Sequence, residues 1–173
     1  MSTLGTAMAR LDAARAAAGL DAMPAGAPVE SVLARLEALD LTPHEELVEW
    51  FAHYGAGPLL YRVDVPSLDD ACGRYLDGIE MVGDDPGPEA IDWFPIADYV
   101  VMFARPCGNA PQVRRINEVF EFSAPTAASD LAVVVELWAD RLDRGYYIPN
   151  PTTGLPWFDG EFPDDELWLT TRL

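Results

Sequence analysis

The sequence predicts an α+β fold, and three observations carry that expectation. Helical periodicity and strand-like runs alternate irregularly, with helices before, between and after the strands. Fifteen prolines and thirteen glycines supply more turns than a plain helical bundle needs. Half of the 173 residues are hydrophobic, enough to bury one core despite a heavy charge.

The elements follow in order. Residues 4–18 are alanine-rich, with Leu4, Met8, Leu11 and Ala18 at helical spacing, and "DAMPAGAP" (21–28) breaks the chain after them. Residues 1–25 thus read as an N-terminal helical extension ahead of an α+β domain over 26–173. A second helix carries Val29, Val32, Leu33 and Leu36. Thr42-Pro43-His44-Glu45 has the capping-box pattern, so a third helix is expected to start at Thr42. Leu47, Trp50, Phe51 and Tyr54 form its core stripe, and Gly55 and Gly57 its stop.

"PLLYRVDV" (58–65) reads as one strand. Ser67 caps a helix bearing Leu68, Ala71, Cys72, Tyr75, Leu76 and Ile79, with Gly78 and Gly83 to end it. "YVVMFA" (99–104) is apolar on both sides of the pleat and predicts a central strand, with a further strand at 116–122. Ser129 is expected to cap a last helix carrying Leu131, Val134, Val135, Trp138 and Leu142, with Gly145 beyond its end. The tail mixes turn residues with Trp157, Phe158, Phe162 and Trp168, which read as core cover, and an edge strand is expected near 167–170.

The net charge of −18 is the strongest compositional signal, and every one of the eleven cationic residues is arginine. Such a field repels nucleic acid and anionic membranes and favours a basic protein partner. No apolar run approaches the roughly 20 residues of a membrane span. Asp12, Arg10 and Arg15 interrupt the first 20 residues, which lack the apolar core of a signal peptide, so a cytoplasmic location is expected. Cys72 and Cys107 stand 35 apart, outside metal-binding spacings, and Cys72 reads as a small core residue.

The stretch "DGIEMVGDDPGPEAID" (77–92) places Asp77, Glu80, Asp84, Asp85, Glu89 and Asp92 together with no cation between them. A metal site, a catalytic carboxylate pair, a docking face for a basic partner and a plain solvated loop are the readings to weigh. Two such charges about 10 Å apart in water repel by only about 0.4 kcal/mol, so the loop is tolerated without any counter-ion. The residues do not fit an EF-hand template. Scattered carboxylates around Mg²⁺ would make the protein a metal-dependent hydrolase. His44 and His53 lie in the capping box and at a helix end, with no H-E-x-x-H pattern, and Ser67 and Ser129 have capping roles. No nucleophile elbow, phosphate loop or dinucleotide fingerprint is present, and the absence of lysine excludes Schiff-base chemistry. No catalytic residue, metal ligand or cofactor is assigned from the sequence.

Four segments, in this order, carry a resemblance. They are "LTPHEELVEWFAHYGAG", "LLYRVDVPSLDDACGRY", "IDWFPIAD" and "VFEFSAPTAASDLAVVVELWADRLDRGYY". Together they resemble the SUKH superfamily, which includes bacterial immunity proteins and fungal cell-wall-synthesis regulators. Trp93 and Pro95 match its Trp-x-Pro motif, with structural roles expected for both, the tryptophan packed in the core and the proline at a strand start. The resemblance implies an α+β domain with a central, mainly antiparallel sheet flanked by helices. It also implies a non-catalytic binding protein, an immunity protein that neutralises a cognate basic, nuclease-type toxin of a bacterial polymorphic toxin system. An intracellular adaptor or regulator of the same fold, without a toxin, is the alternative.

Overall fold

The alanine-rich start of the chain folds as α1 (Thr3–Ala17), because small unbranched side chains lose little entropy in a helix. Leu4, Ala7, Met8, Leu11 and Ala14 make its buried face. That face packs chiefly along α5 (Leu131–Asp143), near the other end of the chain. The computed structural model describes residues 3–42, 44–61, 63–82, 93–98, 100–103, 113–115, 126–128 and 130–158.

α2 (Val29–Glu37) buries Val32 and Leu36, while Val29, the first of the expected stripe, is 47% exposed. α3 (Glu45–His53) buries Leu47, Trp50 and Phe51, and Tyr54 follows them into the core. Its cap is His44, whose Nδ1 accepts the Glu46 N–H at 3.3 Å, and not the predicted Thr42. The reason lies one residue earlier. The Leu41 N–H is still committed to the Leu36 carbonyl of α2, so the chain leaves one helix too late to start the next at Thr42.

The single strand expected over 58–65 is a hairpin. β1 (Gly57–Leu60) and β2 (Val63–Val65) pair antiparallel, with Gly57 opposite Val65 and Leu60 opposite Val63. Apolar residues on both sides of the link between the two strands read as one run. Ser67 caps α4 (Leu68–Val82) as expected, its Oγ accepting the Asp70 N–H at 3.1 Å. α4 continues through Gly78, where an added Cβ would meet nothing within 4 Å. A lone interior glycine costs a helix about 1 kcal/mol and does not by itself end it. Cys72 is buried beside Ala71 and Tyr75, as a small core residue should be, and Leu76 is left 48% exposed.

β3 (Trp93–Ala97), β4 (Val100–Phe103), β5 (Val113–Arg115) and β6 (Thr126–Ala128) form an antiparallel sheet in sequential order. The doubly apolar β4 is an interior strand, as its composition predicts. Pro95 sits in the middle of β3 and not at a strand start. It is tolerated because β3 is the sheet's edge and its register shifts between Pro95 and Ala97. The strand expected at 116–122 lies outside the described residues. α5 is capped by Asp130, whose Oδ1 accepts the Val133 N–H at 2.9 Å, in place of the predicted Ser129. A carboxylate there also suits the positive end of the helix dipole.

β7 (Tyr147–Pro149) and β8 (Pro156–Phe158) close a last hairpin with Ile148 opposite Trp157. Both of these side chains face outward, and Trp157 is 42% exposed with its ring 5.2 Å from that of Tyr61. It is a surface aromatic and does not cover the core. Phe162, Trp168 and the strand expected at 167–170 lie outside the described residues.

The class is therefore α+β, as predicted, with the helices gathered on small antiparallel sheets. Phe94 lies 5.7 Å from Phe51 of α3 and 5.6 Å from Tyr75 of α4, so both helices pack on β3. Trp50 lies 6.1 Å from Trp138, and its indole N–H donates to the Ile96 carbonyl at 2.9 Å, satisfying a polar atom that burial would otherwise penalise. One buried cluster runs from α1 to β7. Among the described residues no helix is long and apolar enough to cross a membrane.

Candidate functional site

The break at 21–28 turns out to be a helix cap. The Gly26 N–H donates to the His53 carbonyl at 3.1 Å, the Ala27 N–H to the Phe51 carbonyl at 2.9 Å, and the Pro24 carbonyl accepts the Gly55 N–H at 2.7 Å. The first two bonds satisfy carbonyls that the end of α3 leaves without partners, and the third takes up the Gly55 N–H just beyond it. The approach is close enough that a Cβ on Gly26 would stand 2.4 Å from the Phe51 oxygen. By lying across the end of α3, the segment brings Asp21, Ala22 and Met23 against α1.

A pocket of about 200 Å³ opens there. Its polar lining is Asp12 and Arg15 from α1, Asp21 from the loop, and His53 and Tyr54 from the end of α3. Ala16, Leu20 and Met23 supply the aliphatic wall. Asp12 joins two of these groups: Oδ1 accepts the Tyr54 hydroxyl at 3.0 Å and Oδ2 faces His53 Nε2 at 2.8 Å. Facing a carboxylate, Nε2 is the protonated nitrogen, and Nδ1 is an acceptor in the neutral ring. Tyr54 is 2% exposed. Burial, reinforced by the charge on Asp12, pushes its phenol far above the usual tyrosine range, so it remains a donor.

Arg15 forms the pocket's floor. It is 4% exposed, and its guanidinium donates to the carbonyls of Leu59, Asp21 (2.7 Å) and Pro58 (3.3 Å). Burial lowers its pKa, and Tyr54, Asp12 and Asp21 oppose that shift. The cation thereby ties α1 to β1 and to the loop.

The His53–Asp12 pair has the form of a base with its orienting carboxylate. Among the described residues no serine, threonine or cysteine lines the pocket, and the Tyr54 hydroxyl is committed to Asp12. Among the described residues no group of three or more His, Cys, Asp or Glu side chains is placed to hold a metal ion.

The acidic stretch singled out in the sequence is placed only at its start. Asp77 is exposed on α4, and Glu80 follows in the same helix, where only the backbone is described. Asp84, Asp85, Glu89 and Asp92 lie outside the described residues. Trp93 and Pro95 are both in β3, with Pro95 partly buried.

Among the described residues, most of the other arginines are paired or buried, while Arg144 is exposed. Arg10 bridges Glu136, Asp140 and Asp143 of α5, the last at 2.9 Å. Arg35 pairs with Asp69 at 2.7 Å and Arg74 with Asp98. Arg141 is buried at 7% exposure. No protein-family model matches this chain, and no curated protein does.

Proposed function

We propose that this protein binds without catalysis, and that its partner is a basic, nuclease-type toxin of a bacterial polymorphic toxin system, which it neutralises as an immunity protein. The observation that carries the reading is the disposition of charge. The net charge is −18, while Arg10, Arg35 and Arg74 are held by the protein's own carboxylates and Arg15 and Arg141 are buried. Meanwhile Asp21, Glu30, Glu37, Asp64, Asp70 and Asp77 stand exposed. A nuclease grips phosphates with lysine and arginine, and the same basic surface is attracted to a field of this sign. The order of the SUKH-like segments supports the same reading.

The test is a pull-down from the native host's lysate with the purified protein as bait, eluted on a salt gradient. A basic nuclease domain eluting at moderate salt, with its activity blocked by the bait, is the expected result. Recovery of regulatory or housekeeping proteins alone would replace the toxin partner with an adaptor role.

A further inference from the structure

Asp12 is the chemical centre of the pocket at the end of α3. An ionised carboxylate offers about four acceptor positions. Tyr54 and His53 engage one on each oxygen, which leaves positions open on both. In the neutral ring His53 Nδ1 is a further acceptor, and the exposed Asp21 is part of the same lining. Several side-chain donors of the lining are already turned elsewhere, Tyr54 to Asp12 and at most three of the five Arg15 N–H groups to backbone carbonyls. Open acceptor positions dominate the lining, and its two acidic residues outweigh the single guanidinium.

Size narrows the ligand further. Pockets for drug-sized molecules start at about 300 Å³, and this one is about 200 Å³. It suits one side chain better than a cofactor. A group with several donors, a positive charge and an alkyl stem matches both the acceptors and the aliphatic wall. We propose that the pocket receives a lysine or arginine side chain presented by the basic partner, with the charge on Asp12 and the stem along Leu20 and Met23. This deepens, and rests on, the reading of a basic partner given above.

The two histidines make the test direct. The protein is labelled with ¹⁵N-histidine and titrated into the millimolar range with N-acetyl-arginine amide, N-acetyl-lysine amide and the uncharged N-acetyl-norleucine amide. His53 reports the pocket, and His44, at the opposite end of α3, is the internal control. A saturable change at His53 with a cationic amide, a silent His44 and no response to norleucine amide are expected. The tighter of the two cationic amides names the side chain. Asp12→Asn removes the charge. Ala16→Leu fills the pocket from an exposed position on α1 and leaves the polar groups in place. Each is expected to weaken binding by about tenfold or more, and Ala16→Leu carries the test if Asp12→Asn does not fold.

The proposal is overturned if neither cationic amide moves His53, if norleucine amide moves it equally, if both histidines respond in step, or if Ala16→Leu binds unchanged. Because the probes are single amino-acid amides, any of these results leaves the toxin reading standing. Amide binding in a protein that captures no basic partner would sink the toxin reading and leave the pocket assigned.

Discussion

Glu46 on α3 accepts the Leu131 N–H at 3.1 Å, so a charged carboxylate meets the first turn of α5 while partly buried. Burial pushes its pKa up, and the bond to Leu131 only partly opposes this. The folded protein therefore holds this proton more tightly than the unfolded chain does. Its contribution to stability is fullest below the ordinary glutamate value of about 4.3 and falls as pH rises through the window up to the raised value. Glu46→Gln keeps an acceptor and removes the titration. Relative to wild type, its urea midpoint should gain ground as pH rises through that window and then level off. A gap independent of pH would contradict the assignment. Buried Trp50 was legible in the sequence because its neighbours share a helical stripe. The Asp12–His53 contact was not, because those residues lie 41 apart and meet only through the packing of α1 against α3 and its cap.

At the scale of elements, three helices end in the same double bond. After α1, the Leu20 N–H reaches Arg15 and the Gly19 N–H reaches Ala16. After α2, Leu41 reaches Leu36 and Asp40 reaches Glu37. After α5, Tyr146 reaches Arg141 and Gly145 reaches Leu142. This is the Schellman turn, and its pivot needs a positive φ: 79° at Gly19, 57° at Asp40 and 74° at Gly145. Two substitutions test it in opposite directions. Gly145→Ala should destabilise by about 1 kcal/mol, although its Cβ meets nothing within 4 Å, because the cost is in the backbone. Asp40→Gly should stabilise by about 0.5 kcal/mol, relieving φ and removing an acid from a helix C-terminus. Thermal melts of both variants check the pair. Helix positions were readable because apolar spacing is local. Starts were less so: His44 and Asp130 cap where Thr42 and Ser129 were expected, since the choice between adjacent capping residues depends on how the previous element ends. The β1–β2 turn escaped for want of the glycine or asparagine that usually marks one.

For the molecule as a whole, the clamp of Arg10 on three carboxylates of α5 joins its ends across more than a hundred residues. The partners are all roughly 40–50% exposed, so the clamp is a screened surface network worth less than about 1 kcal/mol. Arg10→Ala should lower stability at low salt, and the deficit should shrink in high salt, while wild type itself gains stability as its self-repulsion is screened. Urea titrations of both proteins across a salt series read the two effects together. A deficit that grows with salt would show that α1 is held in another way.

The α1–α5 packing also has a consequence at the ribosome. The apolar face of α1 leaves the exit tunnel before its main partner, which follows more than a hundred residues later. At about 5–20 residues per second, that is a wait on the order of ten seconds with Leu4, Met8 and Leu11 unburied by α5. The nascent chain is therefore a client for any chaperone that shields short apolar helices. A truncated product ending before α5 should be degraded rather than accumulate as a partly folded fragment.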